Sequence, residues 1–274
     1  MSATREKVKP CPYAGPFDPY ATVTLTEAML TCIVGFQCEG QPKHVDTELP
    51  DEGSGIFYYI AEPYGNYVHK NQDFAVLLCS DEHGLWHSSR LLADQFAGAG
   101  YLTIVPDHVD RRTVQGSAIT GAPHTFDEKT SSARIAEALK YLKVQRNVTK
   151  VAAAGYGIGG NAVVSQLGLG DVHIGFVATP THGRKDFLKT VDGIACPLSL
   201  AFADEDTEWD SPRRSEIVNR VRDTSQAYQV NLYSHVPPGF ASNRAVSTKA
   251  EVYAKKQAFV QALQWFEEHF HNGD

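Results

Sequence analysis

The feature that most restricts the fold of this chain is the stretch VAAAGYGIGG at residues 151–160, where an apolar run leads into a glycine-rich turn. Gly155, Gly157 and Gly160 satisfy G-x-G-x-x-G, the pattern of a dinucleotide-binding turn. Gly155, Gly157 and Gly159 also satisfy the G-x-nucleophile-x-G turn of hydrolases, with glycine at the nucleophile position. Both interpretations require a buried strand, a sharp turn and a helix, so both predict helices packed on a sheet.

Strand-like apolar runs alternate with helical patterns along the rest of the chain. The strand-like runs are 56–61, 74–79, 102–106, 151–154, 174–178, 198–203 and 230–234. Several are continuously apolar, as are strands of a parallel sheet that is buried on both faces. The alternation predicts the α/β class, with a mostly parallel central sheet and helices on both faces. We expect residues 1–55 to form an N-terminal arm that packs on a core domain of residues 56–274.

Charge and composition narrow the choice of partners. The net charge of −7 does not favour binding to nucleic acid or to an anionic membrane, so the expected partner is a small-molecule substrate or ligand. No run approaches the roughly 18 apolar residues of a membrane span, and the N-terminus lacks a signal-peptide core, which predicts a cytoplasmic protein. The five cysteines are scattered without C-x-x-C spacing, so they predict buried thiols. The pattern leaves both a monomer and a homodimer open.

The position of the glycine turn favours the hydrolase interpretation. A dinucleotide fold places this turn after its first strand and an acidic residue at the end of the next strand. Here the turn follows three predicted strands, and the next strand ends in Thr179-Pro180-Thr181. We therefore expect no nicotinamide or flavin cofactor. A hydrolase would instead carry an acid after a later strand and a histidine after the last one.

Four segments, in order and spacing, resemble the dienelactone hydrolase family, whose members are small α/β-hydrolases that use a Cys-His-Asp triad on cyclic enol-lactones. The segments are LLCSDEHGLWHSSRLLADQFAGAGYLTIVPD, GYGIGG, AFADEDTEW and NLYSHVPPGFASNR, and the resemblance extends from about residue 41 to the end. It implies the α/β-hydrolase fold. By the same resemblance, Asp206 holds the place of the triad acid and Asp81 that of a pocket acid.

Two triad positions depart from the family pattern. Gly157 stands where the family carries its cysteine, and Pro238 stands where it carries its histidine. Glycine offers no nucleophile and proline no base, so covalent acyl transfer by the usual triad is excluded. Arg244 lies about one residue beyond the family's arginine, so a role in binding a substrate carboxylate does not carry over to it.

The remaining polar groups at the predicted strand ends are candidate acid–base groups. Asp206 would act as a general acid or base if an apolar cavity raised its pKa, and would be an ordinary loop carboxylate if it were solvated. The same two alternatives apply to Asp81. His83 and His108 are the candidate replacements for the lost histidine. The resemblance implies an oxyanion hole from the amides of Glu82 and Ile158. The other candidate pocket residues are Tyr156, Gly157, His182, Trp209, Pro238 and Phe240. His83 and His87 flank a glycine rather than share a helix, so no metal site is expected.

Three functions fit these residues. The first is a non-hydrolytic enzyme that cyclises, isomerises, eliminates or rearranges a hydrophobic oxygenated metabolite, as in polyketide or terpenoid biosynthesis. The second is an inactive paralogue that binds a ligand or a partner, because loss of two triad residues also fits relaxed selection. The third is a hydrolase with relocated catalytic groups.

Overall fold

The computed structural model describes eight segments of the chain. They are residues 42–44, 46–48, 57–64, 71, 73–109, 127–181, 187–242 and 246–271. Most of the predicted N-terminal arm lies outside them. Its residues 46–48, however, form a strand at the edge of the main sheet, where they pair with residues 57–59.

One eight-stranded sheet, in the order β1-β2-β4-β3-β5-β6-β7-β8, organises the described residues. Its strands are β1 Asp46–Glu48, β2 Phe57–Ala61, β3 Phe74–Cys79, β4 Leu102–Pro106, β5 Lys150–Tyr156, β6 Ile174–Ala178, β7 Leu198–Ala203 and β8 Tyr228–Tyr233. Six neighbouring strands are mutually parallel, namely β4, β3, β5, β6, β7 and β8, whereas β2 is antiparallel to both of its neighbours. This arrangement confirms the predicted mostly parallel sheet.

Helices cover both faces of the sheet. They are α1 His87–Gly98, α2 Glu128–Lys140 with a π-helical turn Tyr141–Gln145, α3 Ile158–Leu169, α4 Phe187–Asp192, α5 Ser211–Asp223 and α6 Lys249–His271. Successive residues of β3 belong to opposite cores: Val76 packs with Phe96 and Phe266 of α1 and α6, and Leu77 packs with residues of α2, α3 and α5. Burial on both faces explains why this strand is continuously apolar.

Capping side chains set two helix starts. The Asp127 carboxylate accepts the Thr130 N–H at 2.9 Å, so Asp127 caps α2, which begins at Glu128. The Asp210 carboxylate likewise accepts the Arg213 N–H at 3.1 Å and starts α5 just before Pro212. Among the helices described, none has the length and apolar character needed to cross a membrane.

Candidate active site

A sharp strand–turn–helix connection lies at the centre of the parallel sheet. β5 ends at Tyr156, and α3 begins at Ile158, so Gly157 alone makes the turn with φ 52° and ψ −120°. The Gly157 N–H donates to the carbonyl of Ala178 at 3.2 Å, and its own carbonyl accepts the Thr181 N–H at 3.2 Å. These two bonds fix the turn against the end of β6. The conformation lies in the left-handed region that favours glycine.

The glycines of this turn have different roles. A Cβ on Gly155 would lie 2.6 Å from the Gly159 carbonyl oxygen, and one on Gly160 would lie 2.6 Å from Val177. A Cβ on Gly159 would overlap the backbone of Cys79. These three positions therefore need glycine for close packing of helix on sheet. A Cβ on Gly157 would instead lie 3.2 Å from Glu82 Oε2 and 3.3 Å from the Cβ of Asp81, at the position of a nucleophile's side chain.

A cavity of about 460 Å³ opens above this turn, at the carboxyl ends of the strands. Its described lining consists of Asp81, Glu82, Gly157, Ile158, Thr179, Pro180, Thr181, Asp206, Thr207, Glu208, Pro238, Gly239 and Ser242. Six predicted site residues are in this set: Asp81, Glu82, Gly157, Ile158, Asp206 and Pro238. Carboxylates and hydroxyls make the lining more polar than a pocket for a purely hydrophobic metabolite.

Two backbone amides at the cavity fit the expected oxyanion hole. Ile158 is the first residue of α3, where an amide has no acceptor within the helix. Within the part of the chain that the structure describes, neither the Ile158 N–H nor the Glu82 N–H has a hydrogen-bond acceptor. Both residues line the cavity. The two donors are thus available to a carbonyl or enolate oxygen of a ligand.

Asp206 is a buried carboxylate on the loop after β7, only 6% exposed. Its Oδ1 accepts the N–H of Glu208 at 2.9 Å and that of Trp209 at 3.3 Å. Its Oδ2 accepts no hydrogen bond from any described residue. Burial raises the pKa of Asp206 above its ordinary value, and the two backbone donors only partly oppose this shift. A buried carboxylate with one unsatisfied oxygen can exchange a proton with a ligand.

Asp81, also 6% exposed, has the opposite environment. Its Oδ1 accepts the His83 N–H at 3.0 Å and contacts His83 Nδ1 at 3.1 Å, and its Oδ2 accepts the Ser242 hydroxyl at 2.8 Å. Burial alone would raise the pKa of Asp81, but these hydrogen bonds and the nearby His83 outweigh burial and lower it. Asp81 is therefore a stable anion that connects the loop after β3 to the turn before residue 243.

Comparison with known proteins agrees with this geometry. The model of the dienelactone hydrolase family matches residues 59–270. The chain belongs to the dienelactone hydrolase family. It is 29% identical over 252 residues to a protein named Hydrolase tropI from Talaromyces stipitatus, covering 87% of this chain and 95% of the relative. It is 25% identical over 254 residues to Dienlactone hydrolase 1 from Gibberella moniliformis, covering 88% and 93%.

Solved structures support the α/β-hydrolase fold. A dienelactone hydrolase from Anabaena variabilis superposes with a TM-score of 0.59 at 16% identity, covering 84% of this chain and 99% of that one. An esterase from Thermogutta terrifontis superposes with a TM-score of 0.58 at 12% identity, covering 83% and 94%. At such identities the likeness concerns the fold alone.

Several predicted site residues of this dienelactone hydrolase family member do not line the cavity. His108 is 1% exposed, and its ring nitrogens contact Ser131 Oγ at 3.1 Å and the Ser80 carbonyl at 3.0 Å. It braces the end of β3 against α2 and has no access to a cavity ligand. His83 lies beside the cavity, bonded to Asp81, with a side chain that is 41% exposed. His182 lies outside the described residues.

Three predicted aromatic pocket residues belong to the core instead. Trp209 is fully buried, packs on Phe202 and donates its indole N–H to the Pro180 carbonyl. Tyr156 and Phe240 are 3% and 1% exposed and are absent from the described cavity lining. Burial of these large side chains supports the loops that form the cavity, which is a structural contribution.

Sequence reasoning missed Thr179, Thr207 and Ser242, which all line the cavity. Thr179 has a φ of 44°, which is rare for a β-branched residue and marks backbone strain at the end of β6. Its position after an apolar strand was a usable signal. Ser242 gave no such signal, because its partner Asp81 is 161 residues away in the chain.

One group of possible metal ligands occurs at the cavity edge. Asp81, Glu82 and His83 bring one ligand atom each to within 4.8 Å of one another, although the sequence predicted no metal site. Asp81 Oδ1 and His83 Nδ1 already contact each other at 3.1 Å. The arrangement is explained by this hydrogen bond without a metal ion.

Proposed function

We propose that this chain is a non-hydrolytic enzyme that uses the dienelactone hydrolase scaffold to transform an oxygenated small molecule. Gly157 is the observation on which this depends. It occupies the strained turn at the nucleophile position, next to a cavity with two available amide donors. The turn and the donors are of use in catalysis even when no nucleophile is present.

The chemistry would combine an oxyanion hole with one proton-transfer group. The Glu82 and Ile158 amides would polarise a ligand carbonyl and stabilise the enolate that forms when a proton leaves the neighbouring carbon. Oδ2 of Asp206 would accept that proton or return it elsewhere on the ligand, since burial raises the pKa of Asp206. Isomerisation, elimination and cyclisation are reactions of this kind, and a pericyclic step would need only the carbonyl polarisation.

The polar contacts argue against a relocated hydrolytic triad. A serine nucleophile needs a histidine that takes its proton, and the histidine in turn needs an acid behind it. The serine among the described lining residues is Ser242; its hydroxyl donates to Asp81 Oδ2, and His83 contacts the other oxygen of the same carboxylate. The order is hydroxyl, acid, histidine, so the base is not next to the nucleophile.

A place in specialised biosynthesis belongs to the same proposal. The relatives named Hydrolase tropI and Hydrolase pyvD come from Talaromyces stipitatus and Aspergillus violaceofuscus, and the second is 28% identical over 254 residues. A polyketide or terpenoid intermediate would supply the conjugated carbonyl that this chemistry requires.

The decisive test compares metabolite profiles of the source organism with and without this gene. A compound that accumulates in the deletion strain is then incubated with the purified protein. Conversion without hydrolysis, seen as a product of unchanged mass or as loss of a small molecule, is the expected result. A hydrolytic product, a covalent adduct with an electrophilic ester probe, or binding without conversion would contradict the proposal.

A dienelactone substrate supplies the matching negative control. With glycine at position 157 and proline at position 238, we expect no efficient turnover. Robust hydrolysis at micromolar dienelactone would show that catalytic groups lie elsewhere.

A further inference from the structure

The described lining of the cavity carries acidic charge only. Four of its described lining residues are acidic, namely Asp81, Glu82, Asp206 and Glu208. None of its described lining residues is Lys or Arg. Carboxylates that surround one concave site combine their fields and raise the local concentration of cations.

Three described basic side chains bond to carbonyls of the loops that border the cavity. The Arg213 guanidinium donates to the carbonyls of Thr207 and Glu208 at 3.3 and 3.0 Å. Arg214 donates to the carbonyl of Trp209, and Lys255 Nζ donates to that of Ser242 at 2.9 Å. Arg214 lowers the pKa of Asp206, but burial outweighs this effect, and none of these three cations is among the described lining residues of the cavity.

His83 is a basic group that contacts two of the cavity carboxylates. It contacts Asp81 at 3.1 Å and Glu82 at 3.7 Å. Its charge offsets the field on the Asp81 side when it is protonated. Among the described residues, only the backbone N–H groups of Glu208 and Trp209 donate to Asp206, so His83 does not contact it. The field is therefore least compensated beside Asp206.

We propose that the ligand of this cavity carries a cationic nitrogen, such as a protonated amine, that binds against Asp206 Oδ2. Asp206 is 6% exposed and lines the cavity, and this oxygen accepts no hydrogen bond from the described chain, so an ammonium N–H donor would complete its bonding. Asp81 and the two exposed glutamates Glu82 and Glu208 add long-range attraction. A carboxylate ligand meets like charge from all four groups and is rejected.

The inference rests on the proposed function only in taking this cavity as the substrate site. It narrows the oxygenated metabolite to one that also holds a basic nitrogen, with the carbonyl at the Glu82 and Ile158 amides and the nitrogen near Asp206.

Three probes of similar shape and different charge test the inference: phenethylamine, phenethyl alcohol and phenylacetate. Affinities are measured at neutral pH by titration with ligand-observed NMR on the full chain. We expect the amine to bind about tenfold more tightly than the alcohol, with phenylacetate weakest. Added salt should reduce the affinity of the amine and leave that of the alcohol unchanged. Equal affinities, no binding of the amine, or a preference for phenylacetate would overturn the inference.

Matched variants locate the binding group. Asp206→Asn should weaken amine binding about tenfold and leave alcohol binding almost unchanged. Asp204→Asn removes an exposed carboxylate from the same loop that does not line the cavity, so it should change neither affinity. Thermal unfolding of each variant confirms that it is folded. An equal loss in both variants would indicate general surface charge and overturn the assignment to Asp206.

The two proposals fail separately. If the purified protein converts a neutral metabolite and the amine probe binds no better than the alcohol, the proposed enzymatic function is supported and the proposal of a cationic ligand is wrong. If the amine binds through Asp206 but no metabolite is converted, the proposed site for a cationic ligand is supported and the proposed catalytic function is wrong.

Discussion

Asp81 and Asp206 line the same cavity and are equally buried, at 6% exposed each. Their environments nevertheless shift their pKa values in opposite directions. Asp81 receives hydrogen bonds on both oxygens, two of them from side chains, and its pKa is lowered. Asp206 receives only backbone N–H groups on one oxygen, and burial raises its pKa. The surroundings, and not the residue type or the depth of burial, decide which carboxylate is held as an anion.

Two acids with separated pKa values are a frequent basis for acid–base catalysis. Asp81 uses its charge to bind His83 and Ser242, so it fixes the geometry of two loops. Asp206 has one oxygen that accepts no hydrogen bond from a described residue, and burial raises its pKa. The comparison therefore gives Asp206 the chemical role and Asp81 the structural one, and each assignment can be tested by an isosteric change.

The largest effect is expected from Asp206→Asn. The amide retains the acceptor oxygen for Glu208 and Trp209 but cannot take up a proton, so turnover of the native metabolite should fall by about 10²- to 10⁴-fold. Mass spectrometry of the product over time, with purified variant and wild-type protein, measures the change.

Asp204→Asn is the matched control, because it removes an exposed carboxylate two residues away. Its turnover should equal that of the wild type. Full activity in Asp206→Asn would remove the proposed chemical difference between the two cavity acids.

The second-largest expected effect is on the free energy of unfolding, and the two acids should differ in it. Asp81→Asn loses the charge in its bonds to His83 and Ser242, so the free energy of unfolding should fall by about 1.5–3 kcal/mol at neutral pH. Asp206→Asn keeps its backbone hydrogen bonds and removes a desolvated charge, so it should be as stable as the wild type or more stable. Urea unfolding of the three proteins measures both. A larger loss in Asp206→Asn would reverse the assignment of roles.

The sequence predicted the sheet and the position of the cavity well, because these depend on local patterns. Continuously apolar runs predicted buried strands, and Gly155, Gly157 and Gly159 predicted the turn that places Glu82 and Asp206 at one end of the sheet. The strand β1 was missed because its three residues, DTE, carry no apolar alternation.

The contacts between distant residues could not be predicted in the same way. His108 follows a strand end and so resembled a catalytic group, but its burial against Ser131 depends on how α2 packs. The partnership of Asp81 with Ser242 likewise forms only when the two loops meet in the fold. Whether a polar residue at a strand end enters the cavity or the core is decided by packing, on which single-sequence patterns carry little information.

The third effect concerns the turn beside Asp81. Gly157→Ala places a Cβ in the left-handed region and against Asp81 and Glu82, so unfolding free energy should fall by about 1–2 kcal/mol. Gly170→Ala is the control, since Gly170 has a φ of 73° and no atom within 4 Å of its added Cβ. Both variants should lose similar stability by urea unfolding, but Gly157→Ala alone should weaken amine-probe binding. Equal binding by both would show that ligands do not reach the Asp81 side of the cavity.

The smallest effect is the pH dependence of stability, which gives the two acids opposite signs. The pKa of Asp206 is raised on folding, so its contribution becomes unfavourable as pH rises from the unfolded-state value through the folded one. The pKa of Asp81 is lowered, so its contribution is present above the unfolded-state value and is lost as pH falls through the folded one. Relative to wild type, Asp206→Asn should therefore gain stability between acidic and neutral pH, and Asp81→Asn should lose it. Each change amounts to about 1.4 kcal/mol per unit of pKa shift, and urea unfolding over that pH range measures both. Parallel curves for the two variants would mean that the two carboxylates share one environment, contrary to their different hydrogen bonds.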